Sequence, residues 1–547
     1  MKKFLAIFLA LACVLGLCAC GGGGGNSSSG GGMTADGKVK LSIGLPSSAV
    51  IMSHDENALT KWIEEKCGVE ITFVEYAGGT DISAQITTAV AARQELPDIL
   101  LGMYMNNNTI FRYGQDGYFA NLKDYFADKE GKSKIFWDRI TNELSESDQK
   151  LIINTITDPD GSGGIYTVPT VETSIFDKQK YQTYINVQWL DKLGLEKPTD
   201  VDSLYKVLKA FKDNDCNGNG DPDDEIPLLG SELGGLGADV LGWLINLFIY
   251  YNDSRAYTVQ DDGKLVATYT TDEYRKALQF INKLYKEGLL NPLAWTASGD
   301  ELGNIYTPTQ GTALVGLFCG HLSVQPQEGN DVLFEYEPLP MIGCAVRGDM
   351  SVSMSTYITE DCDNVDKAFE VLMTLWSWEG SMRMRYGEKG VNWDDPTPGA
   401  KSVVGMDATY KLISDPLGLQ NACLWSKMCT FNAYAECETA ELAQEMDEWS
   451  QKKFKMLAEH QAYFAEAEKN NNPEKMLPRL VYTSAERDQV EQLRTNLNDY
   501  RRECETDFCV GKMDPYSDAE WNAYLAELEK LGLSQSVAMA QVAYDRS

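Results

Sequence analysis

The sequence predicts an α/β chain folded as more than one lobe. Three observations predict it. Strand and helix patterns alternate in the order β-α-β-α-β at the start of the body, which builds a parallel sheet with helices on its faces. The chain has 547 residues, 43% of them hydrophobic, more than one core usually holds. Two stretches, 165–170 (IYTVPT) and 184–190 (YINVQWL), read as the passage into a second lobe.

Each element rests on its own pattern. Residues 39–45 (VKLSIGL) read as the first strand, and 59–66 as a helix closed by Cys67-Gly68. Residues 69–73 (VEITF) alternate apolar and polar, as a half-buried strand does. The stretch 81–94 places Ile82, Ile86, Ala89 and Val90 on one helical face, and 96–101 (LPDILL) is a short buried strand. Ligands of such sheets bind beyond the carboxyl ends of the strands. That edge carries Gly102, Met103, Tyr104, Met105 and Asn106. In the second lobe, 201–212 is a helix with Thr199 and Asp202 as its capping pair and Leu204, Val207, Leu208 and Phe211 as its apolar stripe. A helix over 272–287 starts near Thr270 and Glu273 and stops at Gly288, and a helical block over 364–385 is interrupted at Glu379-Gly380. Thr483 with Glu486 and Ser517 with Glu520 head two helices of a helix-rich C-terminal part. No fixed-period repeat is visible.

The N-terminus reads as an anchor. Residues 1–20 are MKKFLAIFLALACVLGLCAC: a basic head, then an apolar run too short for a comfortable membrane span. Leu17-Cys18-Ala19-Cys20 resembles the bacterial lipobox, in which cleavage leaves the cysteine as a lipidated N-terminus. Residues 1–19 are then the signal peptide, and 20–36 the lipidated Cys20 and a flexible tether. Random-coil scaling over GGGGGNSSSGGG gives an end-to-end distance of roughly 20 Å. No second run of spanning length follows, so the lipid is the expected membrane attachment.

Composition removes several classes. The 81 acidic residues against 48 basic ones argue against nucleic acid, whose phosphates need a basic face. Thirteen cysteines include Cys13 and Cys18 in the signal and Cys20 at its end; the other ten are scattered singly from Cys67 to Cys509 without a CxxC. They read mostly as small apolar residues, with a Cys423–Cys429 disulfide left open. Three histidines, His54, His321 and His460, do not make a zinc site with such cysteines.

One loop carries metal chemistry. Asp215-Cys-Asn217-Gly-Asn219-Gly220-Asp221-Pro-Asp223-Asp224-Glu225 sets side-chain oxygens at positions 1, 3 and 5 and glycine at 6. Asp221 at position 7 offers its carbonyl, and carboxylates follow at 9, 10 and 11. A hard cation such as calcium takes six to eight oxygens at this spacing. Ile226 stands where the usual glutamate would, so Asp223, Asp224 or Glu225 closes the shell. The ion would be structural.

The lipobox, WLDKLGLEKPTDVDSLYKVLKAFK, the DCNGNGDPDDEIPL loop, YGEKGVNW and the closing LPRLVYTSAE…WNAYLAELEKLGL…AYDR are similar to the family 1 extracellular solute-binding lipoproteins of ABC importers. Within them the chain resembles the large subgroup for oligosaccharide uptake, which includes the alginate-oligosaccharide binders. The resemblance spans about 38–546. It implies a two-lobe periplasmic-binding-protein-like fold with the ligand in the interlobe cleft, calcium in the matching loop, and delivery to ABC permease subunits. It places the protein, expected as a monomer, at the extracellular face of the bacterial cytoplasmic membrane. Lobe one is expected at 37–170 and 347–398, and lobe two at 171–346 and 399–547.

A sugar cleft needs aromatic plates and planar polar groups. The candidates are Tyr104 and Asn106 past the third strand, Trp243 after a glycine-rich stretch, Trp295 after Asn-Pro, and Trp393 at the end of YGEKGVNW. Trp376, Trp378, Trp425 and Trp521 lie in helical patterns and are assigned to the core. The expectation is a binder and not an enzyme. The alternatives are a surface glycoside hydrolase or polysaccharide lyase, for which no motif singles out a carboxyl pair, and a peptide-binding receptor.

Overall fold

The computed structural model describes residues 32–546, apart from 49, 78–81, 160–161, 173–178, 222, 236, 253–255, 309–311, 323–329, 347–349, 403–404, 415–419, 423–430, 433–438, 444–446, 470–476, 478–479 and 481. The signal peptide, Cys20, most of the tether, Trp425 and the Cys423–Cys429 pair lie outside them. Among the described residues no helix is long and apolar enough to cross a membrane.

The first lobe follows from the alternation at its start. The strand Val39–Pro46 pairs in parallel with Val69–Tyr76 on one side and with Ile99–Leu100 on the other, and Tyr357–Ile358 adds an antiparallel edge. The helix Ala58–Cys67 makes the first crossover. Asn57 caps its head, and Gly68 ends it at φ +65°, the left-handed conformation that costs glycine no Cβ clash. The helix Ile82–Ala91 makes the second crossover and buries Ile86, Ala89 and Val90. One apolar cluster gathers Leu41, Ile43, Ile63, Ile86 and Ile99 with Tyr357, Phe369 and Trp376 from much later in the chain.

The second lobe has its own sheet, in the order Tyr336–Pro338, Thr183–Asn186, Val315–Cys319, Ile226–Leu229. The last two strands are parallel and the other pairings antiparallel. The helix Val201–Lys212 buries Leu204, Val207, Leu208 and Phe211 against it. Gly316 makes room for that helix, since a Cβ there would lie 2.2 Å from the Phe211 ring. The cap falls one residue later than the sequence suggests: Asp200, not Thr199, accepts the Ser203 N–H at 2.7 Å. The helix Asp272–Lys286, capped by Thr271, buries Tyr274, Leu278, Ile281 and Leu284. Each such side chain stabilises the fold by about 1.5–3 kcal/mol on full burial. The C-terminal helices close over this side of the lobe: Asn282 Nδ2 donates to the Phe508 and Cys509 carbonyls at 2.9 and 3.2 Å, and the Tyr524 hydroxyl to Tyr269 O at 3.1 Å.

Three short strands run side by side where the chain passes between the lobes. Thr170–Glu172 lies in the middle, antiparallel to Ser351–Ser353 and parallel to Phe431–Asn432. The helical block after 364 is two helices, Val365–Trp376 and Trp378–Tyr386, and the break falls at Ser377, whose hydroxyl caps the second one. A boundary at 398 divides this part differently from the packing. Met384 belongs to the first-lobe cluster, while Met382, Tyr386 and Trp393 pack with Tyr184, Phe318 and Tyr410.

Candidate functional site

The passages between the lobes attach to each sheet at one edge. In the first lobe, Met103 N–H donates to Ser355 O at 2.8 Å, just past the carboxyl end of Ile99–Leu100. In the second lobe, the incoming chain reaches Thr183, which pairs with Cys319 at the carboxyl end of Val315–Cys319. The carboxyl edges of the parallel strands therefore lie at the interlobe side of both sheets.

At the first-lobe edge, Tyr104 is 49% exposed and Asn106 is exposed as well. The Tyr104 hydroxyl is hydrogen-bonded by the side chains of Ser353 and Ser355, so the exposed ring is tied to the chain at the interlobe strand Ser351–Ser353. His54 lies on the same edge. Its Nδ1 meets Glu75 Oε1 at 2.8 Å, and its Nε2 is buried without a hydrogen-bond partner among the described residues. Gln420 and Asn421 reach this edge from far along the chain, Asn421 Oδ1 accepting from Ser53 N at 3.2 Å.

Of the three tryptophans proposed for the cleft, two are core residues. Trp243 sits in the helix Val240–Asn246, 2% exposed, inside the second-lobe cluster. Trp393 is also 2% exposed; its indole N–H donates to Gly387 O at 3.0 Å, and its short strand pairs with Tyr410–Leu412. A ring so covered has no face for a sugar to stack on. Trp295 is half-buried. The Glu232 N–H bond to Ala294 O, 3.1 Å, holds its turn past the end of Ile226–Leu229, and its ring meets Tyr285 edge-on at 5.5 Å. Its indole N–H is buried without a partner among the described residues. Trp376 and Trp521 are buried, and Trp378 packs at the edge of a core cluster.

The acidic loop stands at the opposite end of the second-lobe sheet and runs into Ile226–Leu229. Asp215 Oδ1 and Oδ2 accept the N–H groups of Gly218 and Gly220 at 2.7 and 3.1 Å. Asn217 and Asn219 accept from the N–H two residues on, at 2.9 and 2.7 Å, and their amides donate to the two oxygens of Asp224 at 2.9 and 2.6 Å. Glu225 is 8% exposed; its Oε1 accepts from Cys216 and Asn217 N–H, and its Oε2 is buried without a partner among the described residues. Asp221 and Asp223 are exposed. Among the described residues no three His, Cys, Asp or Glu side chains stand together as a finished ion cage. The donor set still fits a hard cation. It is all oxygen, and it includes a buried carboxylate oxygen with no hydrogen-bond partner among the described residues. Lys192 Nζ lies on the carbonyls of Asp215 and Cys216 at 2.6 and 3.3 Å. Burial, with Glu225 beside it, pushes the Cys216 thiol up to about 11. The seven cysteines among the described residues are all unpaired.

Sequence reasoning missed the polar groups at the second-lobe edge. Gln179, Gln182, Thr183, His321, His460 and Gln461 are all buried there. The one signal available was that two of only three histidines are involved.

Residues 53–370 match the model of the bacterial extracellular solute-binding proteins. The chain belongs to that family. It is 24% identical over 514 residues, 90% of this chain and 87% of the relative, to the fructooligosaccharide ABC transporter substrate-binding protein FusA of Streptococcus pneumoniae. The structure of FusA with kestose superposes with a TM-score of 0.69 at 22% identity, covering 92% of this chain and 99% of that one. A FusA variant described as an EF-hand mutant superposes at 0.68 and 21%, covering 92% and 99%. The alginate-binding protein AlgQ2, in a structure without calcium ion, gives 0.58 at 20% identity, covering 92% and 98%. The lipoprotein LipO of Bacillus subtilis is 32% identical over 191 residues, 34% of this chain and 36% of that protein. These neighbours share the two-lobe fold.

Proposed function

We propose that this protein is the substrate-binding subunit of an ABC importer, lipid-anchored through Cys20 outside the cell, and that it captures an oligosaccharide and hands it to the permease. The observation that carries this is the similarity to FusA over 90% of the chain, both lobes included. The exposed Tyr104 ring at the interlobe edge supports it, because sugars offer apolar C–H faces to such rings. The chain acts as a monomer that binds without converting its ligand. Closing the lobes removes both faces of a sugar from water, and ligand favours the closed state only as far as it binds that state better. A permease then reads loaded from empty protein by shape.

Calcium belongs to this reading as a structural ion. Asp215, Asn217, Asn219, Asp224 and Glu225 would hold it with side-chain oxygens, and Asp221 with its carbonyl. The ion would neutralise the loop's carboxylates and fix the start of the strand Ile226–Leu229, far from the sugar.

The test is isothermal titration of the mature protein with neutral trisaccharides (kestose, raffinose, maltotriose), with trigalacturonate and with a random tripeptide pool. Saccharide binding without new reducing ends is expected. Cleavage of the sugar, or binding of peptides alone, overturns the reading. Cys20→Ala should release the protein from the membrane fraction, and attachment that survives the change would put the anchor elsewhere.

A further inference from the structure

Two polar atoms at the interlobe edge of the second lobe are buried and unsatisfied. Among the described residues, Gln179 is 2% exposed and its Nε2 has no hydrogen-bond partner, and Gln461 is 4% exposed and its Oε1 has none. Burying a polar group unpaired costs free energy, so such groups are few and call for a reason.

The orientation of Gln179 follows from its neighbours. The backbone N–H of Thr183 donates to His460 Nε2 at 3.3 Å. That nitrogen therefore carries no proton, and the proton of the neutral ring sits on Nδ1. Nδ1 lies 2.6 Å from Gln179 and donates to its Oε1. The amide oxygen is thereby spoken for, and the amide N–H groups are left over. The backbone thus fixes the imidazole, and the imidazole fixes which end of Gln179 is free. Burial, with His321 nearby, holds the His460 pKa down at about 3, so this relay stays neutral under ordinary conditions.

We propose that Gln179 and Gln461 are the second-lobe half of the saccharide site, offering one N–H donor and one carbonyl acceptor to hydroxyls of a neutral sugar, with His460 as the residue that positions Gln179. This rests on the binding reading above and adds the residues and the charge class. A hydroxyl both accepts and donates, so sugar hydroxyls satisfy both groups. A uronate would bring a charge to a relay that holds no counter-charge. The site lies beside Thr183, at the carboxyl end of Val315–Cys319, which is the interlobe edge of this sheet.

Two variants separate a binding role from a packing role. Gln179→Glu keeps the oxygen that His460 binds and removes the amide donor. Gln461→Met keeps the shape and removes the orphan acceptor. Titration with kestose, raffinose and maltotriose should show the Kd of whichever the wild type binds rising by about tenfold in each variant. The Tm of Gln461→Met should hold or rise, because an unsatisfied buried group has been removed. A glutamine that only packs would do the reverse, lowering Tm and leaving Kd alone, and that result overturns the proposal. If Gln179→Glu does not fold, Gln461→Met decides. A wild type that prefers trigalacturonate overturns the neutral assignment while leaving the binding reading intact. A wild type that binds peptide and no saccharide removes that reading, and the subsite with it.

Discussion

The second-lobe sheet has a polar site at each end, and the two are built in opposite ways. At one end, the loop 215–225 draws its side chains from eleven consecutive positions, and its acidic groups run from exposed Asp221 and Asp223 to buried Glu225. At the other, Gln179 and His460 meet across 281 positions of sequence and are 2% and 1% exposed. Each keeps a buried atom in reserve: Glu225 Oε2 in the loop, Gln179 Nε2 in the relay. The loop concentrates negative charge and suits an ion. The relay is neutral and suits hydroxyls. Charge density, more than residue type, separates the two, since both use side-chain amides.

The largest expected effect removes the ion from the first site. With calcium a hundredfold above its dissociation constant, binding linkage stabilises the fold by about 2.7 kcal/mol. Chelation should lower Tm in wild type and leave Asp215→Ala unchanged. Glu225→Gln should sharpen this. It removes a buried carboxylate that lacks a cation, so it should raise Tm in chelator while losing the calcium increment. A wild-type Tm indifferent to chelation would make the loop a plain turn.

The second effect acts on the relay through acid. His460 is held at about 3 by burial, below the usual histidine value near 6.5. The unfolded chain therefore takes up this proton first. The stability that depends on it is complete above pH 6.5 and is lost as pH falls from there towards 3. Glu486 also loses stability in acid. Its carboxyl is held at about 2 by Arg546, so its share goes only below the ordinary glutamate value of 4.5. The difference between wild type and a variant without His460 over the window from 6.5 to 4.5 thus reports on this group, with an expected loss of about 2 kcal/mol. Denaturant melts of wild type and His460→Gln across that window check it. Equal slopes would show that His460 is not held neutral.

Legibility followed locality. The helix Val201–Lys212 lies where its apolar stripe put it, and the opening β-α-β-α-β order is the first sheet. These patterns are complete within a dozen residues. The cap shifted by one position because Asp200 and Thr199 both suit a cap, and only the backbone entry angle chooses between them. The tryptophans were harder. Nothing next to Trp393 in sequence tells that Tyr386 and Tyr410 will close over it, whereas Tyr104 needed only the end of a strand to be placed at an edge. The Gln179–His460 relay had no local signature at all.

The smallest expected effect falls inside the loop, and it tests whether burial or motif position chooses the ligand. Counting from Asp215, position 9 falls on Asp223, and the acid expected at position 12 is missing. The structure aims the chain differently. Asp223 is exposed, and its carboxylate takes none of the hydrogen bonds among the loop's described residues, while Asp224 receives both asparagine amides and Glu225 is buried. A charge already in water gains little from a nearby ion. Asp223→Asn should therefore change Tm by less than about 0.5 kcal/mol equivalent and keep the calcium response. Asp224→Asn should lose most of that response, because it turns an anionic ligand into a neutral one at the centre of the set. Paired melts with calcium and with chelator read both variants. If Asp223→Asn abolishes the response and Asp224→Asn spares it, position in the motif outweighs burial, and the loop must rearrange on binding.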